Sequence, residues 1–352
     1  MSIALHDPTH SPHAALGLTE RIAARFINDA RDAPFLKLMA TLSVLVVPTG
    51  VWLFLPGQFR WWLAAVHVAL FVYFLGPFVL MLHNTSHRKL FKRPYLWMNN
   101  YVPWVLGPFF GESPETYFAH HVGMHHTENN LAGDLSSTLP YRRDSIVHFL
   151  RYFFRFFLFG IVELTRYFHR KDRRSLMIRC LTGEALFIGG LVALAIYDWR
   201  PTLVVFVMPL VVARFVMMAG NWAQHAFVDE SAPANNYRNS ITCINCSYNR
   251  RCFNDGYHIG HHLKATRHWT EMPEELARNL HAYAAEGAIV FEGIDFFGVW
   301  ALLMAKRYEA LAKRVVQLGA VRRSESEVIA VLRERTRWRS AGDSQASFAI
   351  AP

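Results

Sequence analysis

Histidine placement is what suggests chemistry in this sequence. Of its 18 histidines, ten fall in four short runs: His83-Asn-Thr-Ser-His87, His120-His121-Val-Gly-Met-His125-His126, Asn221-Trp-Ala-Gln-His225 and His258-Ile-Gly-His261-His262. Residues three or four apart on a helix share a face. His83 with His87, His121 with His125, and His258 with His261 or His262 can therefore each aim at one point, as can Asn221 with His225. A lone pair of this kind is ordinarily a solvated helix face. Four runs gathered in one place are another matter, because so many protonated imidazoles would repel, and a bound metal keeps them neutral.

His83, His87, His121, His125, His126, His225, His258, His261 and His262 exceed the three or four ligands of one zinc site. Two metals are needed, and imidazole suits iron, zinc or copper. Zinc-protease chemistry is disfavoured because Asn84, not Glu, follows His83. The Glu-x-x-His pairs of soluble di-iron bundles are missing too. The cysteines (Cys180, Cys243, Cys246 and Cys252) offer one CxxC without a second, and Ser247 in place of His excludes c-type haem attachment. They read as free thiols in a reducing compartment, the clustered ones in a cytosolic loop.

The elements that must position these rings are apolar. The 352 residues are 52% hydrophobic and 18% charged, with 14% aromatic, which excludes a disordered or purely nucleic-acid-binding chain despite a net charge of +10. Two pairs of long apolar stretches, Leu38–Leu55 with Trp61–Leu82 and Leu176–Tyr197 with Thr202–Trp222, are each joined by a short turn. A bilayer core takes about 20 apolar residues per helix, so each pair reads as a hairpin. No cleavable signal precedes the first span. Arg and Lys crowd the termini and the segment between the hairpins, while the two turns carry only Arg60 and Arg200. Positive-inside bias thus places both termini, the middle segment and all four histidine runs on the cytoplasmic side. In the second hairpin Glu184 and Arg214 lie equally far from the turn, at matching depth, and are expected either to pair or to face the interface separately.

The expected architecture is an all-α integral membrane protein with four transmembrane helices in two hairpins and a cytosolic helical cap holding a two-metal histidine site. Residues 1–37 form a cytosolic tail and interfacial helix, 38–304 the membrane domain, and 305–352 a basic cytosolic tail. Leu96–Gly111, Phe149–Ile161 and Ala288–Met304 carry polar, charged or proline residues and are read as segments lying on the cytoplasmic surface.

HNTSH, HHVGMHH, NWAQH and YHIGHH, in this order around two hairpins, resemble the histidine boxes of the membrane fatty-acid desaturase family, over about Trp61 to Pro273. The resemblance implies that the nine histidines hold two irons, that Asn221 holds one of them through a water, and that O2 is a co-substrate in dehydrogenating a fatty acyl chain at the bilayer surface of, most simply, a bacterial cytoplasmic membrane. Three residues separate His121 from His125 where many members have two, which keeps His120 as a substitute for His121. The proline common beyond the third box is missing in Leu263–Trp269. No fused His-Pro-Gly-Gly haem motif occurs, so electrons would come from a separate ferredoxin-, rubredoxin- or cytochrome b5-like protein. A hydroxylase or ketolase of a fatty acid, sterol or carotenoid is the alternative on the same scaffold, and a metal transporter or sensor the alternative from another class.

Other residues read more simply. His6, His10 and His13 lie in a polar tail read as disordered. His67 reads as a packed neutral side chain, His148, His169 and His281 as surface groups, and His268 as a partner to a ligand histidine. Gly76-Pro77 should bend the second span. Trp61, Trp62 and Trp222 suit an aromatic belt. Ser324-Glu-Ser-Glu327 reads as a capping box, and Lys313, Arg314, Arg322 and Arg323 suit anionic lipid or an acidic electron donor.

Overall fold

A computed structural model describes residues 3–9, 17–319 and 322–337; His10, His13 and the last residues of the chain lie outside them. Four helices are long and apolar enough to cross a membrane: Ala30–Phe54, Trp61–His87, Arg174–Tyr197 and Trp199–Gln224. They match the four expected spans and run further toward the histidine runs, so that His83 and His87 are the last turns of the second helix. Helical structure dominates, as expected. Proline does not interrupt the second helix at Pro77. The carbonyl of Tyr73, whose helical donor Pro77 lacks, instead accepts from Arg251 Nη2 at 2.7 Å.

Glu184 and Arg214 do pair: Arg214 Nη2 lies 3.0 Å from Glu184 Oε1. Equal distance from a short turn is equal depth in an antiparallel pair, and a charge in hydrocarbon finds the partner at its own level.

The stretch Leu96–Gly111 lies on the surface only in its first part: nothing in Arg93–Asn100 is buried, whereas Val102, Leu106, Gly107 and Phe110 are. It runs through 3-10 and π-helical turns (Arg93–Asn100, Val102–Leu106, Gly107–Phe110) and dips between the spanning helices. Phe110 stacks on Phe78 at 4.2 Å, and Phe109 reaches Phe206 near the opposite end of the fourth helix. Gly111 has φ 75°, and a Cβ there would overlap the backbone of Pro209 and Leu210. Just beyond, the Pro114 carbonyl occupies the place a Cβ on Gly183 would take. Irregular backbone is tolerated at membrane depth only where protein covers it, and Pro103, Pro108, Gly107 and Gly111 shape this re-entrant segment accordingly.

Helix Ile146–Arg170, not counted among the four, buries Phe149, Tyr152, Phe153, Leu164, Tyr167 and Phe168. It exposes Leu150, Phe154, Leu158 and Phe159 on the other side, the pattern of a helix lying in an interface. Ala288–Met304 is not one surface segment: it splits into strand β2 (Ile289–Glu292) and helix Phe296–Met304, whose Phe296, Val299 and Leu303 are buried. β2 pairs in parallel with β1 (Ile241–Ile244), a small sheet inside the cap that the apolar run does not announce. All four cysteines are free, as expected, and buried; Cys246 and Cys252 flank helix Ser247–Arg251, but Cys243 lies on β1 rather than in a loop.

Both ends of the described residues fold onto this cap. Far from disordered, residues 3–9 dock through Asp7, whose carboxylate accepts from Tyr257 Oη at 2.7 Å, Asn249 Nδ2 at 3.0 Å and the Asn245 amide at 2.7 Å. At the other end Ser324 and Glu327 form the expected capping box of helix Glu325–Arg335. Beyond it, the buried Arg143 guanidinium donates to the carbonyls of Arg335 and Arg337 and pairs with Glu230. Trp222 is fully buried, its Nε1 donating to the Arg143 carbonyl at 2.9 Å; it is cap core rather than belt. Trp61 and Trp62 are exposed on the apolar surface.

Candidate metal centre

The four histidine runs converge. His83, His87, His121 and His261 form one group, and His125, His225, His258 and His262 a second; within each, one ring nitrogen per residue lies within 4.8 Å of the others. His126 joins the first, its Nε2 3.1 Å from His121 Nε2 and 2.9 Å from His261 Nε2. Neighbours in sequence are dealt to different groups, His126 against His125 and His261 against His262. The two groups therefore stand side by side, with the His125 and His126 ring centroids 5.6 Å apart.

The expectation that His121 and His125 share a target is corrected. His121–His125 is a π-helical turn, in which residues five apart come into line. His121 thus meets His126, and His125 points into the second group. The additional residue in this run is absorbed by the wider turn. Likewise His258 shares its group with His262 and not with His261. His120 belongs to neither: its ring lies on Phe156 at 5.4 Å and its Nε2 is buried without a partner.

Several rings are held from behind, which settles where their protons are. His125 Nδ1 donates to Asp134 Oδ2 at 2.7 Å, His225 Nδ1 to the Asn239 carbonyl at 2.8 Å, and His262 Nδ1 to Asn129 Oδ1 at 2.8 Å. With Nδ1 protonated, each Nε2 presents a lone pair inward. His258 Nε2 then lies 3.3 Å from His225 Nε2 and 3.0 Å from His262 Nε2. One proton cannot reconcile three converging lone pairs, whereas a cation can. Ligand nitrogens about 2.1 Å from a metal are ~3.0–3.4 Å from each other, so the donor set fits a metal in each group.

Electrostatics agree. Burial first, and the neighbouring imidazoles second, push His121, His126, His258, His261 and His262 below the ordinary imidazole value, and His225 down to about 4. All are neutral, as ligation demands. Burial alone would raise the Asp134 carboxyl. Its pairing with His125 and the hydroxyl of Ser136 outweigh burial and hold Asp134 well below the usual carboxylate range.

Asn221 lines the cavity beside the histidines. Its amide nitrogen donates to the Ser136 carbonyl at 3.0 Å and Tyr152 Oη at 2.7 Å, leaving the carbonyl oxygen for another partner. His268 is not behind a ligand: its Nε2 donates to Asp32 Oδ1 at 3.0 Å, tying the cap to the start of the first spanning helix. The sequence reading missed Asp134, Asn129 and Asp255, whose carboxylate lies 3.7 Å from His83 Nδ1. An acidic residue soon after a histidine run, as in Ala132-Gly-Asp134, was the one available signal.

Beside both groups lies a cavity with an empty volume, open solvent included, of about 850 Å³. Leu75, Val79, Leu80, Val216, Met217 and Phe297 line it together with His83, His121, His125 and His258. An apolar chamber against a metal-binding wall suits oxidation of a lipid.

The family model described as Fatty acid desaturase matches residues 60–293. No individual curated protein and no solved structure matches the chain. The match spans all four histidine runs and most of the chain: this is a membrane-embedded, metal-dependent oxidoreductase of the lipid desaturase and hydroxylase type, and it belongs to the fatty acid desaturase family.

Proposed function

We propose that the protein is an O2-dependent di-iron desaturase that introduces a double bond into a fatty acyl chain at the membrane–cytosol boundary. The carrying observation is the meeting of nine inward-facing imidazoles with an apolar cavity at the ends of the second and fourth spanning helices. His83, His87, His121, His126 and His261 would hold one iron; His125, His225, His258 and His262 would hold the other, with Asn221 reaching it through a water. The chemistry such a pair supplies when bound is oxidation of an unactivated C–H bond with O2, which no side chain performs.

The chain's own residues do the rest. Asp134, Asn129 and the Asn239 carbonyl fix the tautomer and tilt of three ligands. The apolar lining excludes water and holds a methylene run against the histidine wall, with tolerance of order 0.5 Å deciding between two hydrogen removals and one hydroxylation. Electrons would come from a separate protein, and the histidines, both termini and the cap would face the cytoplasm, as the distribution of Arg and Lys supports.

Metal analysis and lipid profiling of cells expressing wild type or His261→Ala test this. New double bonds that vanish in the variant are the expected result. Hydroxyl or keto products would redirect the assignment to hydroxylation, and retained metal with an unchanged lipid profile would overturn turnover altogether.

A further inference from the structure

The cavity beside the histidines does not end in hydrocarbon. Tyr117, His120, Phe156 and Met217 are shared with a second chamber, with an empty volume of about 510 Å³, whose remaining wall includes Glu112, Ser113, Thr116, Glu184 and Arg214. Arg214 precedes Asn221 by seven residues on the same helix, about 10 Å further from the cap. The re-entrant segment carries Glu112 and Ser113 to that level, because Gly111 abuts Pro209 and Leu210.

The charges there are spoken for, apart from one group. Arg214 Nη2 donates to Glu184 Oε1 at 3.0 Å and to Ser113 Oγ at 3.3 Å, and Thr116 Oγ1 donates to Glu184 Oε2 at 3.3 Å. Glu112 is 6% exposed, and its Oε1 is buried with no hydrogen-bond partner. On the shared wall, His120 Nε2 is in the same state. Two unmatched polar atoms on residues that line one chamber are costly, of order 1–3 kcal/mol each, unless something that enters the chamber meets them.

We propose that this chamber selects lipids bearing a neutral oxygen function, a hydroxyl or a carbonyl, on the part of the molecule that passes beyond the histidine wall. Charge excludes the alternatives. A carboxylate would come beside Glu184, whose one arginine is already paired, and would lose its own hydration among the apolar side chains of the chamber. A carboxyl buried to 6% exposure with an unpartnered oxygen, on a chamber that Phe156, Ile161, Leu164 and Met217 also line, is held at least cost as the neutral acid, which can donate to a carbonyl or accept from a hydroxyl. The inference rests on the reading of the larger cavity as the lipid site and names what kind of lipid fills it.

The test uses the full-length, metal-loaded protein and displacement of a radiolabelled long-chain fatty acid methyl ester by the unlabelled ester and by its ω-hydroxy, ω-oxo and ω-amino analogues. The ω-hydroxy or ω-oxo ester is expected to displace at about tenfold lower concentration than the plain ester, the effect of one well-made buried hydrogen bond. Glu112→Leu should shrink that preference to about twofold or less, and Glu112→Gln, which keeps a donor and an acceptor, should retain most of it. Equal affinity for plain and oxygenated esters in the wild type, a preference that survives Glu112→Leu, or tightest binding of the ω-amino ester would overturn the proposal. The wild-type comparison decides even where the leucine variant fails to fold. Binding and oxidation of all esters without preference would sink the chamber and leave lipid oxidation standing; a metal-loaded protein that binds none of them would sink both.

Discussion

Asp134 shows how much of a metal site sits outside its ligands. Its Oδ2 takes the His125 proton and the Asn130 amide at 2.9 Å, and its Oδ1 takes the Ser136 amide at 2.8 Å and hydroxyl at 2.7 Å. The carboxylate is thus fixed before it fixes the imidazole. Asp134→Asn should weaken metal binding at the second group by about 10–100-fold, leaving the first group less affected; metal content under graded chelator competition would show one of two equivalents leaving early. Which histidines gather was legible in the spacing of their runs. Which ligand serves which group was not, because α-helical periodicity assigns His121 and His125 to one target and only the π-helical turn separates them. Nor was Asp134, whose contact depends on how the Asn129–Ser137 loop folds back.

Among the elements, the hairpins were read correctly because their physics is one-dimensional: length sets the span, and distance from the turn sets depth. That arithmetic found Glu184 and Arg214. Reversing either charge alone should lower the folded yield sharply, since an unpaired buried charge costs ~3–5 kcal/mol; Glu184→Arg with Arg214→Glu together should recover much of it, as monitored by size exclusion in detergent. The re-entrant segment escaped the reading because its prolines and asparagines look like surface chain, and the reason they are tolerated lies in neighbours distant in sequence. A similar long-range repair operates at Pro77. Arg251→Ala should cost ~1–2 kcal/mol through the orphaned Tyr73 carbonyl, and noticeably less in a Pro77→Ala background, where a helical amide can serve it. Thermal unfolding of the two singles and the double would give the coupling.

For the whole molecule, the buried imidazoles link stability to pH. A free histidine gains its proton near pH 6.5, whereas His121, His126, His258, His261 and His262 are held below that in the fold. The unfolded chain therefore binds more protons as pH falls, and folded stability drops from about pH 6.5 downward. Metal-free protein should melt progressively lower between about pH 7 and pH 5, and loading with metal should raise the melting temperature at each pH; equal melting curves with and without metal would contradict this. The overall architecture, a helical membrane body under a histidine-bearing cap, was visible in composition and charge. The docked ends were not, because a short polar stretch such as residues 3–9 announces no partner, and Asp7 finds its own some 240 residues away.

That each group takes a ligand from His261 or His262 as well as from the early runs has a consequence for biosynthesis. A chain still on the ribosome and short of residue 258 holds only part of each ligand set. Neither group can then close, so a metal ion has no complete seat on an unfinished polypeptide.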